Sequence, residues 1–455
     1  MKRLFLVVFL ALLVFAGVFG WLFWLSESDA PAGAQLHGAA PATAAGAATG
    51  AGVINTPGSG TGSGADASSA RASETLAARG AYLARAGNCM SCHTARGGAP
   101  YAGGRPLETP FGTVYGSNLT PAGAGLGAWT EDDFWRALHH GRSRDGSMLV
   151  PAFPYTHYTQ VSRDDSDALF AYLRTLDPVE RENIPHALRW PFGTQAALAA
   201  WRALYFRPGV HRDDPARSPE WNRGAYLVRG LGHCAACHSA RDALGGSDLL
   251  DLSGGVIPMQ SWYAPSLASP QEAGVAHWER ERIVELLGTG RTTGASTLGP
   301  MAEVVLHSTQ HLTPADLRAM AVFLQSVPPA QEGTAPAPAP VSAQLAQRGA
   351  RLYGEHCASC HGEQGQGVPG AYPALAGNRA VTMHNTANLV QAVIYGGFPP
   401  ATEGNPRPFG MPPFALELSD ADVAAVLSFV RTAWGNRAGA VRELDVAQQR
   451  SSAGR

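Results

Sequence analysis

Three pentapeptides, at residues 89–93, 234–238 and 357–361, each combine two cysteines with a histidine in the order C-x-x-C-H. On a helical turn, cysteines three positions apart lie on one side of the backbone, so both thiols can reach the vinyl groups of one porphyrin. The histidine that follows can then bind the iron through an imidazole nitrogen. This spacing is the pattern that attaches a c-type haem. The chain has 6 cysteines, and the three motifs use all of them.

The same residue types also allow other chemistry. A lone C-x-x-C can be a thioredoxin-like redox pair, half of a zinc site or a structural disulfide. Zinc would need ligand pairs that converge from separate segments, and neither zinc nor a redox dithiol explains a histidine directly after every second cysteine. We therefore predict three covalently bound haems. Their predicted thioether ligands are Cys89, Cys92, Cys234, Cys237, Cys357 and Cys360, and the predicted proximal iron ligands are His93, His238 and His361.

A haem that transfers electrons usually keeps a thioether opposite the histidine, which raises its potential. One methionine follows each motif at a matching place in the sequence, although core packing is the ordinary role of methionine. The predicted distal ligands are Met148, Met301 and Met411, with Met259 as a rival in the second repeat and Met383 or His384 in the third. The remaining histidines, including His157 and His233, are interpreted as surface or hydrogen-bonded residues.

These motifs belong to a threefold internal repeat of helical signals. A short helix that contains Arg-Gly-Ala precedes each motif, an amphipathic helix ending at a glycine follows it, and a closing helix comes after the methionine loop. The amphipathic helices are predicted over residues 131–138, 279–287 and 387–394, with Gly141, Gly288 and Gly396 as stops. The closing helices are predicted over residues 164–176, 314–327 and 420–434, with N-caps at Thr313 and Ser419 for the latter two.

Packing each closing helix against the first helix of its repeat would hold a haem between them, so the sequence predicts an all-α protein. The predicted fold is three tandem cytochrome c-type domains with an N-terminal membrane segment. The predicted domains are residues 75–177, 218–327 and 341–436. The predicted connections are a flexible Ala/Gly-rich tether at 26–74, an aromatic connector at 178–217, a Pro/Ala linker at 328–340 and a polar tail at 437–455.

The N-terminus begins with Lys2 and Arg3, which precede an uninterrupted apolar run over residues 4–25. That run is long enough to cross a bilayer, which takes about 20 residues, and it exceeds the roughly 7 to 15 residues of a signal-peptide core. We expect a retained anchor, while a small-residue cleavage site at residues 30–32 keeps a cleaved signal open. Both alternatives place the rest of the chain outside the cytoplasm, and we expect it on the periplasmic side of the inner membrane.

Composition limits the function further. At 455 residues the chain has room for about three domains. Its formal net charge of -2 gives no electrostatic reason to bind nucleic acid. The sequence has no dinucleotide-binding glycine fingerprint, flavin motif or nucleophile elbow. We therefore predict an electron-transfer protein that is not an enzyme by itself, and a methionine available to every haem argues against an open, peroxidase-like site.

Several stretches resemble the triple-haem cytochrome c subunits of membrane-bound bacterial dehydrogenases, a group that serves alcohol, gluconate and sugar dehydrogenases. The similar stretches are residues 88–94, 111–120, 145–155 and 171–174, and the resemblance covers residues 75–436. It implies that a flavin-, quinone- or molybdenum-dependent catalytic subunit supplies electrons, which pass through this chain to ubiquinone or a terminal oxidase. The alternative is a free-standing, membrane-tethered carrier between a quinol-oxidising complex and a terminal oxidase.

Overall fold

The computed structural model of this chain describes residues 64–248, 250–330 and 337–452, with residues 64–74 and 452 described by their backbone only. The predicted membrane segment at residues 1–25 lies outside these ranges, as does the tether as far as residue 63. The first helix begins at Gly64, so it overlaps the end of the predicted tether. Within the described ranges, no helix has the length and apolarity needed to cross a bilayer.

The first domain is built from five helices, and the connector after it adds a sixth. Their bounds are α1 (Gly64–Ala86), α2 (Cys89–His93), α3 (Glu131–His140), α4 (Tyr155–Tyr158), α5 (Arg163–Leu173) and α6 (Gln195–Tyr205). The strands β1 (Pro106–Thr109), β2 (Gly112–Tyr115) and β3 (Ala187–Leu188) form an antiparallel sheet in that order. Because β3 belongs to the connector, the connector is an ordered segment fixed to the first domain.

The second domain repeats this plan. Its helices are α7 (Pro219–Tyr226), which continues as a π-helix (Leu227–Leu231), then α8 (Ala235–His238), α9 (Arg280–Thr289), α10 (Pro300–His307), a 3-10 turn (Thr309–His311) and α11 (Pro314–Gln325). The short strands β4 (Gly255–Val256) and β5 (Tyr263–Ala264) form one hairpin, and β6 (Arg291–Thr292) and β7 (Ala295–Ser296) form another.

The third domain is helical within its described residues. It consists of α12 (Ala343–His356), α13 (Ala358–His361), α14 (Arg379–Thr382), α15 (Ala387–Tyr395), α16 (Asp420–Thr432) and α17 (Glu443–Ser452). The helix α17 falls in the segment predicted to be a polar tail. Val441 and Val446 are buried in the core of this domain, so most of the tail is part of the domain.

The glycine of each Arg-Gly-Ala repeat lies where the first helix crosses the closing helix. A β-carbon at Gly80 would lie 1.8 Å from the carbonyl oxygen of Ala168. The equivalent distances are 2.0 Å from Gly224 to Ala319 and 2.2 Å from Gly349 to Ala425. These are far inside van der Waals contact, so only glycine lets the two helices approach this closely. The predicted pairing of the first and closing helices is therefore present in all three domains.

The arginine of each repeat fixes the same pair of helices electrostatically. Each one forms an ion pair with an aspartate in the first turn of the closing helix. The three pairs are Arg79 with Asp165 at 2.5 Å, Arg223 with Asp316 at 2.7 Å and Arg348 with Asp422 at 2.7 Å. The aspartates also stabilise their own helices, because a negative charge at a helix N-terminus complements the helix dipole.

Helix starts and caps largely follow the predicted signals, but the closing helices end at Leu173, Gln325 and Thr432, two or three residues before their predicted ends. Thr313 accepts a hydrogen bond from the N–H of Asp316, and Ser419 forms a full capping box with Asp422. The stop of α3 is Gly141 in the left-handed conformation, as predicted. The predicted stop of α9 at Gly288 is wrong, because α9 continues to Thr289 and its left-handed cap is Gly290.

The first two domains share one hydrophobic core, whereas the third has its own. Leu83 of α1, Leu173 of α5, Leu227 of the π-helix and Phe323 of α11 are all buried in the shared core. The second and third domains contact each other through several hydrogen bonds, among other contacts. Asn388 exchanges two hydrogen bonds with the backbone of Tyr263, at 2.8 and 2.7 Å.

Candidate haem sites

The three motif histidines have the same local geometry. Each Nδ1 lies at hydrogen-bond distance from a backbone carbonyl oxygen, with His93 2.8 Å from Ser117, His238 2.7 Å from Pro265 and His361 2.9 Å from Pro373. A carbonyl can only accept, so Nδ1 carries the proton and Nε2 keeps its lone pair. This arrangement is the usual way in which a protein orients a histidine that binds a metal.

Burial reinforces the same protonation state. It lowers the pKa of His93, His238 and His361, and the hydrogen bond to each carbonyl opposes that shift in part. A neutral imidazole with a free Nε2 lone pair is the form that binds iron. The chemistry of these three side chains therefore fits a proximal haem ligand in every domain.

The cysteines do not have the properties of a redox pair. Burial raises the pKa of Cys89 and of Cys234 to about 12, and that of Cys357 to about 11, with a smaller contribution from the second cysteine of each motif. Catalytic redox thiols show the opposite shift, because their thiolate must be stabilised. No two of the six cysteines are joined in a disulfide. A disulfide and a thioredoxin-like site therefore both disagree with the structure.

The zinc alternative also finds no support in residues 64–248, 250–330 and 337–452. Within these ranges, no three His, Cys, Asp or Glu side chains come together in a group that could hold a metal ion. The motif side chains in these ranges thus do not form the ligand group that a zinc site requires.

The first domain contains a cavity of about 1520 Å³ beside its motif. Cys89, Cys92 and His93 line one part of it, and apolar side chains such as Phe134 and Leu169 line much of the rest. A large, mostly apolar pocket with a few polar groups is what a porphyrin requires. The size and chemistry of the cavity fit a haem attached at this motif.

The second motif reaches the wall of the same cavity. His233, Ala236 and Cys237 line it from the second domain, together with Arg241. The two motifs are close enough that the charge of Cys237 contributes to raising the pKa of Cys92, after the larger effect of burial. The first two attachment sites are therefore neighbours across the domain interface.

Met148, the predicted distal ligand of the first domain, lies against the connector and outside the residues that line this cavity. Its side chain is 6% exposed and packs on Leu198 and Ala199 of α6. Its backbone is held on both sides by the amide of Gln195, at 2.7 and 3.2 Å. The structure thus brings His93, Cys89 and Cys92 together and places Met148 elsewhere.

The predicted ligands of the other two domains are less enclosed. Met301 is the second residue of α10 and is half-buried. Met411 is half-buried against the core of the third domain, and its backbone pairs with Gly397 in both directions, at 2.8 and 3.0 Å. Met411 lies in a loop, as the repeat predicted, whereas Met301 lies in the first turn of a helix instead of the predicted loop. Both remain predictions as iron ligands.

The rival ligands lie in contrasting places. Met259 is 55% exposed and lines the cavity that also contains residues of the first motif and Cys237 of the second. Met383 is 5% exposed, and its carbonyl accepts a 2.7 Å hydrogen bond from Arg431. His384 is exposed.

One residue of this cavity was not predicted as functional. His157, in α4, lines the cavity and is 3% exposed, and its Nε2 is buried without a hydrogen-bond partner. Burial, with a smaller contribution from the charge of His233, lowers the pKa of His157 to about 3. The sequence offered a weak signal, a histidine within the loop between the methionine and the closing helix.

With this geometry established, comparison with known proteins decides the family. The family model for cytochrome c matches residues 77–177, 222–328 and 346–434. The chain belongs to the cytochrome c family. Each matched segment contains one C-x-x-C-H motif, and membership implies covalently bound haem c. The mostly helical fold agrees with the predicted class, apart from the small antiparallel sheets, which the sequence reading missed.

Full-length relatives are cytochrome subunits of dehydrogenases, as the sequence resemblance predicted. The cytochrome c subunit of a quinone alcohol dehydrogenase from Gluconobacter oxydans is 38% identical, over 84% of this chain and 83% of that protein. The cytochrome c subunit of gluconate 2-dehydrogenase from Pantoea cypripedii is 37% identical, over 84% and 90%. The cytochrome subunit of fructose dehydrogenase from Gluconobacter japonicus is 34% identical, over 82% of each. The predicted membership of this group is confirmed.

Proposed function

We propose that this chain is the tri-haem electron-transfer subunit of a membrane-bound dehydrogenase and works on the periplasmic side of the inner membrane. The observation that carries the proposal is the threefold motif in which each histidine Nδ1 is held by a backbone carbonyl. The relatives that match more than four-fifths of this chain are cytochrome c subunits of dehydrogenases. Haem supplies the one-electron chemistry, and the protein supplies attachment, axial ligands and spacing.

The proposed source of electrons is a separate catalytic subunit that depends on flavin, quinone or molybdenum. The proposed acceptor is ubiquinone or a terminal oxidase. The apolar run at residues 4–25 is proposed to hold the chain at the membrane.

The connector is the proposed contact surface for the catalytic subunit. It exposes large apolar side chains, with Trp190 86% exposed, Leu204 58% and Phe192 38%. Phe192 and Leu204 also line the first-domain cavity. A subunit docked here would thus cover the mouth of the first haem site, and exposed apolar patches of this type support protein–protein interfaces.

The first test is the haem content of the purified chain, expressed with a cytochrome c maturation system. A pyridine haemochrome assay should give three haems for each chain, and a Cys357→Ser, Cys360→Ser double variant should give two. Three haems in the double variant, or fewer than three in the unmodified chain, would contradict the proposed stoichiometry.

The second test identifies the partner. The native complex is purified from detergent-solubilised membranes, and its companion subunit is identified by mass spectrometry. We expect a dehydrogenase subunit whose substrate reduces the haems of this chain, and a Leu204→Asp variant should weaken the association. Recovery with a quinol-oxidising complex and no dehydrogenase would instead establish the free-standing carrier.

A further inference from the structure

The distal side of the first haem site has to be supplied by a residue that can reach the first-domain cavity. Met148 does not line this cavity, because its side chain is buried against Leu198 and Ala199 of α6. Both its backbone N–H and its carbonyl are bound by Gln195. These contacts with the connector thus hold Met148 outside the lining of the cavity.

His157 has the position and burial expected of an iron ligand. It lines the same cavity as Cys89, Cys92 and His93, and it is 3% exposed. Its Nδ1 lies 3.2 Å from the hydroxyl of Thr156, whereas its Nε2 is buried and has no hydrogen-bond partner. A buried polar atom without a partner costs about 1–3 kcal/mol, so this nitrogen calls for an explanation.

We propose that His157, rather than Met148, is the distal iron ligand of the first domain, which makes this haem a bis-histidine site. The inference rests on the proposed attachment of a haem at Cys89 and Cys92. The hydroxyl oxygen of Thr156 can accept a hydrogen bond from the Nδ1–H of His157, which leaves the Nε2 lone pair for iron. This repeats the arrangement seen at His93, where a carbonyl takes the same role.

The other histidines near this region are engaged elsewhere. His233 also lines the cavity, but it belongs to the second domain and interacts with the backbone of Gly87. His139 stacks on Trp135 at a centroid distance of 4.3 Å and does not line the cavity. Of the imidazoles that the structure describes around this site, His157 is the one with a buried, unpartnered nitrogen in the cavity wall.

The assignment separates the three haems by potential. A histidine in place of a thioether favours the ferric form, so the first haem should have a lower potential than a haem with histidine and methionine ligands. Electrons that reach this haem from a partner would then pass to the haems with methionine ligands, which have higher potentials, so the transfer would be thermodynamically favourable.

The first experiment uses the unmodified holoprotein and needs no variant. Near-infrared magnetic circular dichroism of the ferric protein distinguishes bis-histidine from histidine–methionine iron by the position of the charge-transfer band. We expect one bis-histidine haem in three. Three histidine–methionine haems would overturn the assignment.

The second experiment compares His157→Ala with Met148→Leu as a matched control that keeps an apolar side chain against α6. In the ferrous His157→Ala protein, one haem in three should become high-spin and bind carbon monoxide, and added imidazole should restore its low-spin spectrum. Met148→Leu should leave the spectrum unchanged. A His157→Met variant should stay low-spin and raise the midpoint potential of one haem.

The opposite pattern would overturn the proposal: a carbon monoxide site opened by Met148→Leu and none by His157→Ala. Haem content is measured in every variant by the pyridine haemochrome assay. A fall below three haems reports on attachment and so on the proposed function, whereas three haems with altered spin state report on the distal ligand alone. If His157→Ala does not fold, His157→Met and the spectrum of the unmodified protein still decide the assignment.

Discussion

The hydroxyl of Tyr226, in the second domain, donates a 2.5 Å hydrogen bond to the carboxylate of Asp165, in the first. Asp165 is the residue that Arg79 of its own domain also contacts. The same tyrosine oxygen accepts a 3.3 Å hydrogen bond from the N–H of Ser162 at the N-cap of α5. One side chain of the second domain thus adds hydrogen bonds at the N-terminus of α5, where α5 packs against α1 in the first domain.

The relationship is reciprocal. Tyr82, which holds the equivalent position in the first domain, donates a 2.6 Å hydrogen bond to Asp316 and accepts one from the N–H of Thr313 at 3.1 Å. Each of the first two domains therefore donates a tyrosine hydroxyl to an aspartate in the closing helix of the other domain. The third repeat has Arg351 at this position, with an exposed side chain, so it lacks the group that makes the exchange.

Replacing Tyr226 by phenylalanine should destabilise the pair of domains, because Asp165 is buried and loses a charge-assisted hydrogen bond. We expect a loss of about 1–2 kcal/mol in the free energy of unfolding, with a similar loss for Tyr82→Phe. Chemical denaturation followed by haem absorbance measures it. The exposed Tyr395→Phe in the third domain is the control, and equal effects from all three variants would exclude a specific role for the exchange.

Lowering the pH should weaken the contact between α7 and α11 in the second domain, because that contact includes the ion pair of Arg223 with Asp316. Burial raises the pKa of its carboxyl, but the hydrogen bonds from Arg223 and Tyr82 outweigh burial, and the net pKa is lowered. A lowered folded-state pKa gives stability that is complete above the ordinary value of about 4 and is lost as the pH falls through the folded value. The free energy of unfolding of Asp316→Asn should thus depend less on pH below about 4. An unchanged slope would show that Asp316 is not a source of the acid sensitivity.

Gly349 and Gly354, both in α12, should respond in opposite ways to alanine. A β-carbon at Gly349 would lie 2.2 Å from the carbonyl oxygen of Ala425, whereas one at Gly354 would meet nothing within 4 Å. We expect Gly349→Ala to cost about 1–3 kcal/mol from overpacking. Gly354→Ala should instead gain up to about 1 kcal/mol from helix propensity. Thermal unfolding of the two variants measures the difference, and a neutral Gly349→Ala would mean that the helices can separate freely.

The predicted distal methionines of the second and third domains can be tested by redox titration. Met301→Ala and Met411→Ala should each lower the midpoint potential of one haem, since a thioether ligand stabilises the ferrous form. Met259 is exposed, so the Met259→Ala variant should leave the midpoint potentials of the haems in the second and third domains unchanged. A variant with unchanged potentials and spectrum would eliminate that methionine as a ligand.

Much of this architecture could be predicted from the sequence because its signals are local. Motif spacing and the caps at Thr313 and Ser419 each act within one or two turns of helix, and the Arg-Gly pairs are recognisable because they recur once in every repeat. The two-residue strands carry no periodicity of their own, so they could not be predicted. The position of Met148 depends on Gln195, which lies in another helix far along the chain. The unpartnered nitrogen of His157 is likewise a property of tertiary packing.

The shared core also has a consequence for how the protein unfolds. Side chains such as Leu83 and Phe323, from different domains, are buried in the same cluster, so neither domain can open without exposing the apolar surface of the other. The first two domains should accordingly melt as one cooperative unit, while the third, which has a separate core, can melt independently. A calorimetric scan would then resolve two transitions from a chain that contains three repeats.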